Sequence, residues 1–280
     1  MKPRPPLLLS IDLEDVRQSL PDGNRYADRV EENTGRYLRF FEEFGVRCTF
    51  FVLGDVAARY PDLVRRVAAA GHEIACHGAD HTTLDRMDER SFRGNIDGSL
   101  EALSRAGVSV VRGYRAPILS LTAKTPWAHA VLKGAGFAYS SSVLPAKNPL
   151  YGWPGFGRQA RRVDGGLWEI PVSLTDVGVC DVPFMGGIYF RTLPRWLLEF
   201  FFKRTLRRGC PVVGYLHPYD IDTKQERFMH GGVRGSRLWN ELMYYNRKSV
   251  FPKLKALLSG VEVMTYAEYA GRLEAGRTAT

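Results

Sequence analysis

The sequence predicts an α/β protein, a single barrel-like domain of parallel strands with helices outside. Two observations carry that expectation. Short apolar runs alternate with helix-patterned segments in cycles of roughly 25 to 35 residues, the rhythm of parallel strands joined by helices. Ionisable residues also recur where apolar runs end, at Asp12, His77, Arg115 and His217, which is how barrels and open α/β folds assemble a site at one face. The chain has 280 residues, 45% of them hydrophobic, enough for one large core or two small domains.

Leu7 to Ile11 reads as the first strand. Arg29 to Phe44 reads as a helix whose apolar face carries Tyr37, Leu38, Phe41 and Phe44, and Cys48 to Leu53 as the second strand. Tyr60 to Ala70 is the next helix, before the strand Glu73 to Cys76. A third cycle runs through a helix, Phe92 to Ala106, and a strand, Val108 to Val111, to Arg115. Pro126 introduces a helix over Trp127 to Gly134, followed by a short strand, Phe137 to Tyr139. Glycine, proline and arginine make Lys147 to Gly166 an inserted loop, after which Leu167 to Val172 resumes a strand pattern. Pro183 to Arg191 reads as irregular and leads to a helix from Pro194. Pro211 to Leu216 is a hydrophobic strand run, Trp239 to Leu258 a helix, and Val261 to Met264 the last strand.

No apolar stretch reaches twenty residues, so no membrane span is expected. Asp12 interrupts the apolar run that follows Lys2 and Arg4 too early for a secretory signal, and a cytoplasmic protein is expected. Cys48, Cys76, Cys180 and Cys210 lack a close-spaced pair and read as buried thiols. The formal charge of +9 would suit an anionic substrate or acidic lipid headgroups. Nucleic acid is not expected, because the basic residues are dispersed and no binding module accompanies them.

His77-Gly78-Ala79-Asp80-His81 offers two imidazoles four residues apart. On one helical turn that spacing aims both rings at one ion, zinc, iron, cobalt or nickel, although ordinary hydrogen-bonded histidines share the pattern. A third ligand is offered by the cluster Asp12-Leu13-Glu14-Asp15, since carboxylates at a strand end are costly unless paired or used. In a strand, residues two apart share a face, so Asp12 and Glu14 can reach one site while Leu13 packs away; Asp15 replaces Glu14 if the chain turns at Leu13. A metal-dependent hydrolase is the first hypothesis.

Asp12 with Glu14, His77 with His81, Arg115-Ala116-Pro117 and Leu216-His217-Pro218 resemble, in this order, the motifs of the polysaccharide deacetylases, the NodB-homology carbohydrate esterases. Ser10 to Asp15, Gly113 to Pro117, Trp168 to Pro171 and Gly186 to Arg191 resemble more narrowly a branch of cell-surface polysaccharide biosynthesis. The resemblance runs from about Leu7 to Tyr266 and implies one catalytic domain over residues 1–280, a distorted (β/α)7 barrel with inserted loops. It implies removal of an acetyl group, N-acetyl above O-acetyl, with one divalent metal ion, zinc first and iron, cobalt or nickel as alternatives. It assigns Asp12 as base, Glu14, His77 and His81 as metal ligands and His217 as general acid; Arg115 would orient Asp12. The backbone near Ile118 would meet the oxyanion, and Trp168, Glu169 and Tyr189 would support the site or touch substrate.

The implied partner is an N-acetylated sugar, free, on a nucleotide or linked to a lipid. The alternative activity is hydrolysis of a small cyclic amide or imide, and a glycan-binding protein without catalysis is the third class. Glu169 is expected to pair with Arg115, to orient His217 or, equally, to be an exposed charge at a strand end, and Trp168 to lie in the core or a pocket wall. His72 is expected to be structural, His129 to sit on a helix surface, His230 to be exposed, and Asp80 to satisfy local backbone. In Leu193 to Arg208, Trp196, Leu197, Phe200 and Phe201 form an apolar face beside Lys203, Arg204, Arg207 and Arg208. That face is expected to pack on the barrel, with peripheral contact at the inner membrane face as the other reading.

Overall fold

Alternate residues of the first strand turn opposite ways, and that division organises the molecule. In a computed structural model describing residues 5–148, 151–178, 181–230 and 235–276, strand β1 (Leu7–Leu13) sends Leu7, Leu9, Ile11 and Leu13 outward to a core shared with the helices, while Leu8, Ser10 and Asp12 turn into the barrel. Each of those outward side chains is essentially solvent-free, which stabilises the fold by about 1.5–3 kcal/mol apiece.

After α1 (Val30–Glu43) come β2 (Thr49–Val52), α2 (Gly54–Arg59), α3 (Pro61–Ala69) and β3 (Glu73–Cys76). The chain continues through α4 (Glu89–Arg105), β4 (Gly113–Tyr114), α5 (Trp127–Gly134), β5 (Tyr139–Ser140), β6 (Arg161–Val163) and β7 (Leu167–Glu169). It ends with β8 (Thr175–Asp176), β9 (Asp181–Val182), α6 (Gly187–Thr192), α7 (Arg195–Arg207), β10 (Val212–Leu216), α8 (Arg237–Tyr244), α9 (Val250–Leu258), β11 (Val263–Met264) and α10 (Tyr266–Glu274). Among the described residues, β10, β1, β2, β3, β4, β5 and β7 pair in that order, each parallel to the next. These are the parallel strands of the expected distorted (β/α)7 barrel. β6 adds antiparallel to β7, and β11 joins the N-terminal half of β1.

Among the described residues, the sheet curls without a closing ladder. Pro171, just past β7, has no N–H to donate, and the gap to β10 is spanned instead by Ser173, whose amide donates to Val213 O (3.2 Å) and whose Oγ accepts from Val213 N (2.8 Å). At the N-terminal ends of the strands, α10 begins where the Tyr266 amide donates to Thr49 Oγ1 (2.9 Å) and the Ala267 amide to Glu73 Oε2 (3.0 Å). The opposite end, where β1 and β3 lead into Glu14 and His77, is left for a site.

Several local expectations need correction. The fourth strand is Gly113–Tyr114, not Val108 to Val111, because only a glycine fits there: a Cβ on Gly113 would lie 1.9 Å from Tyr139 Cζ. The helix expected over Trp239 to Leu258 is two helices, broken by Asn246 in the left-handed region (φ 54°), where its side chain donates to Arg191 O (2.9 Å). The stretch expected to be irregular before Pro194 contains α6. α7 buries Leu198, Phe201 and Phe202, whereas Trp196 and Phe200 of the predicted packing face are exposed. Cys48 and Cys76 are buried free thiols and Cys210 is half-buried; Cys180 lies outside the described residues.

Candidate active site

The period of two in β1 carries Ser10, Asp12 and, just beyond the strand, Glu14 to one side. Opposite them, His77 keeps the strand bond from its amide to Val52 O (3.0 Å), after which Gly78 (φ 85°) turns the chain. Asn95 Oδ1 holds the Ala79 amide (2.9 Å) and Asn95 Nδ2 the Asp80 carboxylate (2.9 Å). The two imidazoles therefore meet through a loop, not the helical turn expected from their spacing. His81 itself has φ 59°, a region few non-glycine residues occupy.

One ligand atom each from Glu14, His77 and His81 lie within 4.8 Å of one another. His81 Nε2 contacts Glu14 Oε2 at 2.7 Å. His77 Nδ1 donates to Arg115 O (2.8 Å), which fixes the tautomer and leaves the Nε2 lone pair available to an ion. Burial, against the pull of Asp12, lowers the His77 pKa to about 4, so this ring is neutral at pH 7. Burial would raise the Glu14 carboxyl, but His81, then His217 and His77, hold it well below the usual range. His81 is raised, because the charge and hydrogen bond of Glu14 outweigh its burial. A neutral imidazole, a carboxylate and a second imidazole form the donor set of a divalent ion such as zinc, and donors about 3.4 Å apart around such an ion are within a small side-chain adjustment of this arrangement.

Asp15 does not compete for this role. Arg17 donates to both of its oxygens (Nε 3.0 Å and Nη2 2.7 Å), Arg59 approaches at 3.4 Å, and its side chain caps the following turn at Arg17 N.

Arg115, fully buried, holds Asp12. Its Nη1 donates to Asp12 Oδ1 (2.7 Å) and Ser10 Oγ (2.6 Å), Nε to Ser141 O (3.0 Å), and Nη2 to Ser141 Oγ (3.0 Å) and Tyr266 Oη (2.8 Å). The guanidinium lies 4.1 Å from the Phe51 ring centroid. On the other side of the site, His217 follows β10 with Nδ1 2.9 Å from Asp220 Oδ2 and Nε2 3.8 Å from Glu14 Oε1. Asp220 also accepts from the His217 amide (2.8 Å) and from Arg191 Nε (2.8 Å). Burial disfavours the imidazolium, but Asp220, then Glu14 and Asp12, raise His217 to about 9.

Sequence reasoning missed Asp220 and Arg191 as supports, although Arg191 ends a segment it had singled out. A carboxylate three residues after His217 was the available signal. Glu169 does none of the three things expected of it, exposure at a strand end included. It is fully buried, accepts from the Ser142 and Val143 amides (2.7 and 3.0 Å), and contacts His129 Nε2 at 3.1 Å. His129 is accordingly buried at 2% exposure instead of lying on a helix surface. Glu169 reaches the site indirectly, since Ser141 and Ser142 hold Arg115 and the Ala116 amide (2.9 Å).

Trp168 turns away, donating to Glu274 Oε2 (2.8 Å) in α10. Tyr189 is half-buried on α6 and near Tyr215. Ile118 has φ 55° and an exposed side chain. His72 accepts from the Cys48 amide (3.2 Å) in the core, whereas His230, expected in solvent, is buried among Tyr219, Phe228 and Tyr244. Asp80 accepts from the Thr82 amide (3.2 Å), a local backbone bond.

Comparison with known proteins adds three findings. Residues 21–139 match the polysaccharide deacetylase family, and residues 141–271 match a domain of unknown function (DUF3473). A chitooligosaccharide deacetylase from Rhizobium leguminosarum bv. trifolii is 39% identical over 87 residues, 30% of this chain and 40% of that protein. A peptidoglycan-N-acetylglucosamine deacetylase from Bacillus cereus is 33% identical over 86 residues, 31% of each chain. The chain thus spans two fifths or less of the length of these relatives. Among solved structures, a candidate polysaccharide deacetylase from Mycobacterium smegmatis superposes with a TM-score of 0.61 at 22% identity, covering 100% of this chain and 96% of that one. A CE4 family pseudoenzyme from Bacillus anthracis superposes with a TM-score of 0.51 at 13% identity, covering 96% and 66%. These superpositions speak for the fold, and the second is of a protein described as inactive, so activity has to be argued from the side chains.

Proposed function

We propose that this chain, whose residues 21–139 match the polysaccharide deacetylase family, removes an acetyl group, most readily N-acetyl, from a sugar with the help of one divalent cation held by Glu14, His77 and His81. The cation supplies Lewis acidity, making water easier to deprotonate and an acyl carbonyl easier to attack. Asp12 is the base. Arg115 fixes its Oδ1, so Oδ2 accepts the proton of the attacking water. His217 is the acid: Asp220 holds its Nδ1 and stabilises the imidazolium, so Nε2 gives its proton to the departing amine and prevents expulsion of a poor leaving group. The backbone at Ile118 contributes to holding the oxyanion.

The observation that carries this reading is the placement of an arginine-held carboxylate and an aspartate-held imidazole around one cluster of three potential ligands. The relatives' names point the same way, since one acts on chitooligosaccharides and the other on peptidoglycan N-acetylglucosamine. The natural substrate in this proposal is a precursor of surface polysaccharide or glycoconjugate, a nucleotide sugar or a lipid-linked saccharide, met at the cytoplasmic side.

The test is acetate release from N-acetylglucosamine oligosaccharides by the zinc-loaded protein. Release that is abolished by chelation and restored by zinc is expected. Turnover of a cyclic imide with no acetate release from any acetylated sugar would contradict the proposal.

A further inference from the structure

Of the five tryptophans, the two most exposed stand on the helices α7 and α8. On α7, Trp196 (70% exposed) and Phe200 (53%) share a stripe with Lys203 and Arg207, at i, i+4, i+7 and i+11. The opposite face of the same helix is packed, through Leu198, Phe201 and Phe202. On α8, Leu238 (73% exposed) and Trp239 (51%) stand out, followed by exposed Tyr245. Arg191, near the end of α6 and four residues before α7 begins, ties the end of α8 to the segment that leads into α7: its Nη1 donates to Leu242 O (3.0 Å) and Tyr245 O (2.8 Å). Lys253 fixes the same junction by donating to the carbonyls of Phe190, Arg191 and Leu193 (2.7–2.9 Å).

Charge around these rings is one-sided. The acids on the two helices are taken up locally, Glu199 by Arg195 (2.6 Å) and Glu241 by Arg227 (2.6 Å). Arg207, Arg208, Arg237 and Lys248 are exposed and, among the described residues, have no carboxylate within ion-pair distance. Aromatic side chains rimmed by unpaired cations suit an interface that is apolar within and anionic at its surface. No described helix is long and apolar enough to cross a membrane, so such contact would be peripheral.

We propose that the α7–α8 face docks on an anionic phospholipid bilayer, inserting Trp196, Phe200, Leu238 and Trp239 while the basic residues meet the headgroups. Because α6 begins at Gly187, where a Cβ would lie 3.6 Å from His217 Cε1, docking would hold the candidate site near the lipid surface. The proposal stands apart from the deacetylase reading, since binding is measured without turnover.

The experiment is co-sedimentation of the full chain with phosphatidylglycerol vesicles and with phosphatidylcholine vesicles. Binding to the anionic vesicles about tenfold or more stronger than to the neutral ones is expected, with a blue shift of tryptophan emission and weakening at high salt. Both W196S/F200S/W239S and the charge reversal K203E/R207E should weaken it about tenfold or more, with unchanged circular dichroism in at least one of them. Protein left in the supernatant with anionic vesicles overturns the proposal, as does binding that neither variant weakens. A dimer in light scattering that the same substitutions dissociate would also overturn it, by showing that a second copy covers the face.

Discussion

Two buried arginine–carboxylate pairs flank the candidate site, and they differ in what stands between the carboxylate and the chemistry. Arg115 holds Asp12, which faces the site itself; Arg191 holds Asp220, which acts only through His217. Nη1 and Nη2 of Arg115 and its Nε all have partners, whereas the buried Nη2 of Arg191 has none among the described residues. The difference teaches that one ion-pair design serves two ends: on one side it fixes the angle of a base, and on the other it fixes a ring and sustains its charge.

The sharpest break of this comparison is D12N. Asn keeps the shape and a contact to Arg115 but cannot take a proton, so kcat should fall about 10²–10⁴-fold while bound zinc is unchanged. A variant with full turnover would move the base elsewhere. On the other side, D220N should cost roughly 10–100-fold in kcat/KM and reshape the pH profile. The sign follows from the charge: ionised Asp220 favours the imidazolium, His217 is raised to about 9 with it, and removing that charge lowers the pKa. The alkaline limb, where the acid is lost, should therefore move toward neutrality by about 1–3 units. An unshifted limb would reduce Asp220 to a structural support. Smallest is E169Q, which keeps an acceptor for the Ser142 and Val143 amides but loses the charge facing His129. A loss of about 1–3 kcal/mol in unfolding free energy is expected, with kcat changed only a few-fold. A collapse of kcat without loss of stability would place Glu169 in the chemistry instead.

The two sides were unequally legible in the sequence. Asp12, Glu14, His77 and His217 each end or follow an apolar run, so local pattern marks them, while His81 is marked by its spacing from His77 and Arg115 by the motif Arg115-Ala116-Pro117. The supports are not so marked, because burial of a polar residue depends on partners distant in the chain. Arg191 precedes Asp220 by 29 residues and His129 precedes Glu169 by 40. Nothing near His129 says that a buried carboxylate awaits it, and helical position alone misled. The same limit explains the helix broken at Asn246, whose left-handed turn is held by Arg191 O far upstream, and the apolar stripe of α7, where spacing could not say which face meets the core. The barrel itself was legible because short apolar runs alternate with helix-patterned segments in cycles of roughly 25 to 35 residues, a rhythm set by local sequence.

The central claim is that Glu14, His77 and His81 hold one divalent ion beside a separate base. Zinc content after equilibrium dialysis, measured for the parent chain, E14A, H77A, H81A and D12N, tests it most directly. The account predicts about one zinc per chain in the parent and in D12N, and loss of it in each of the other three. Full occupancy in E14A, H77A or H81A, or a parent chain that binds none, would contradict it.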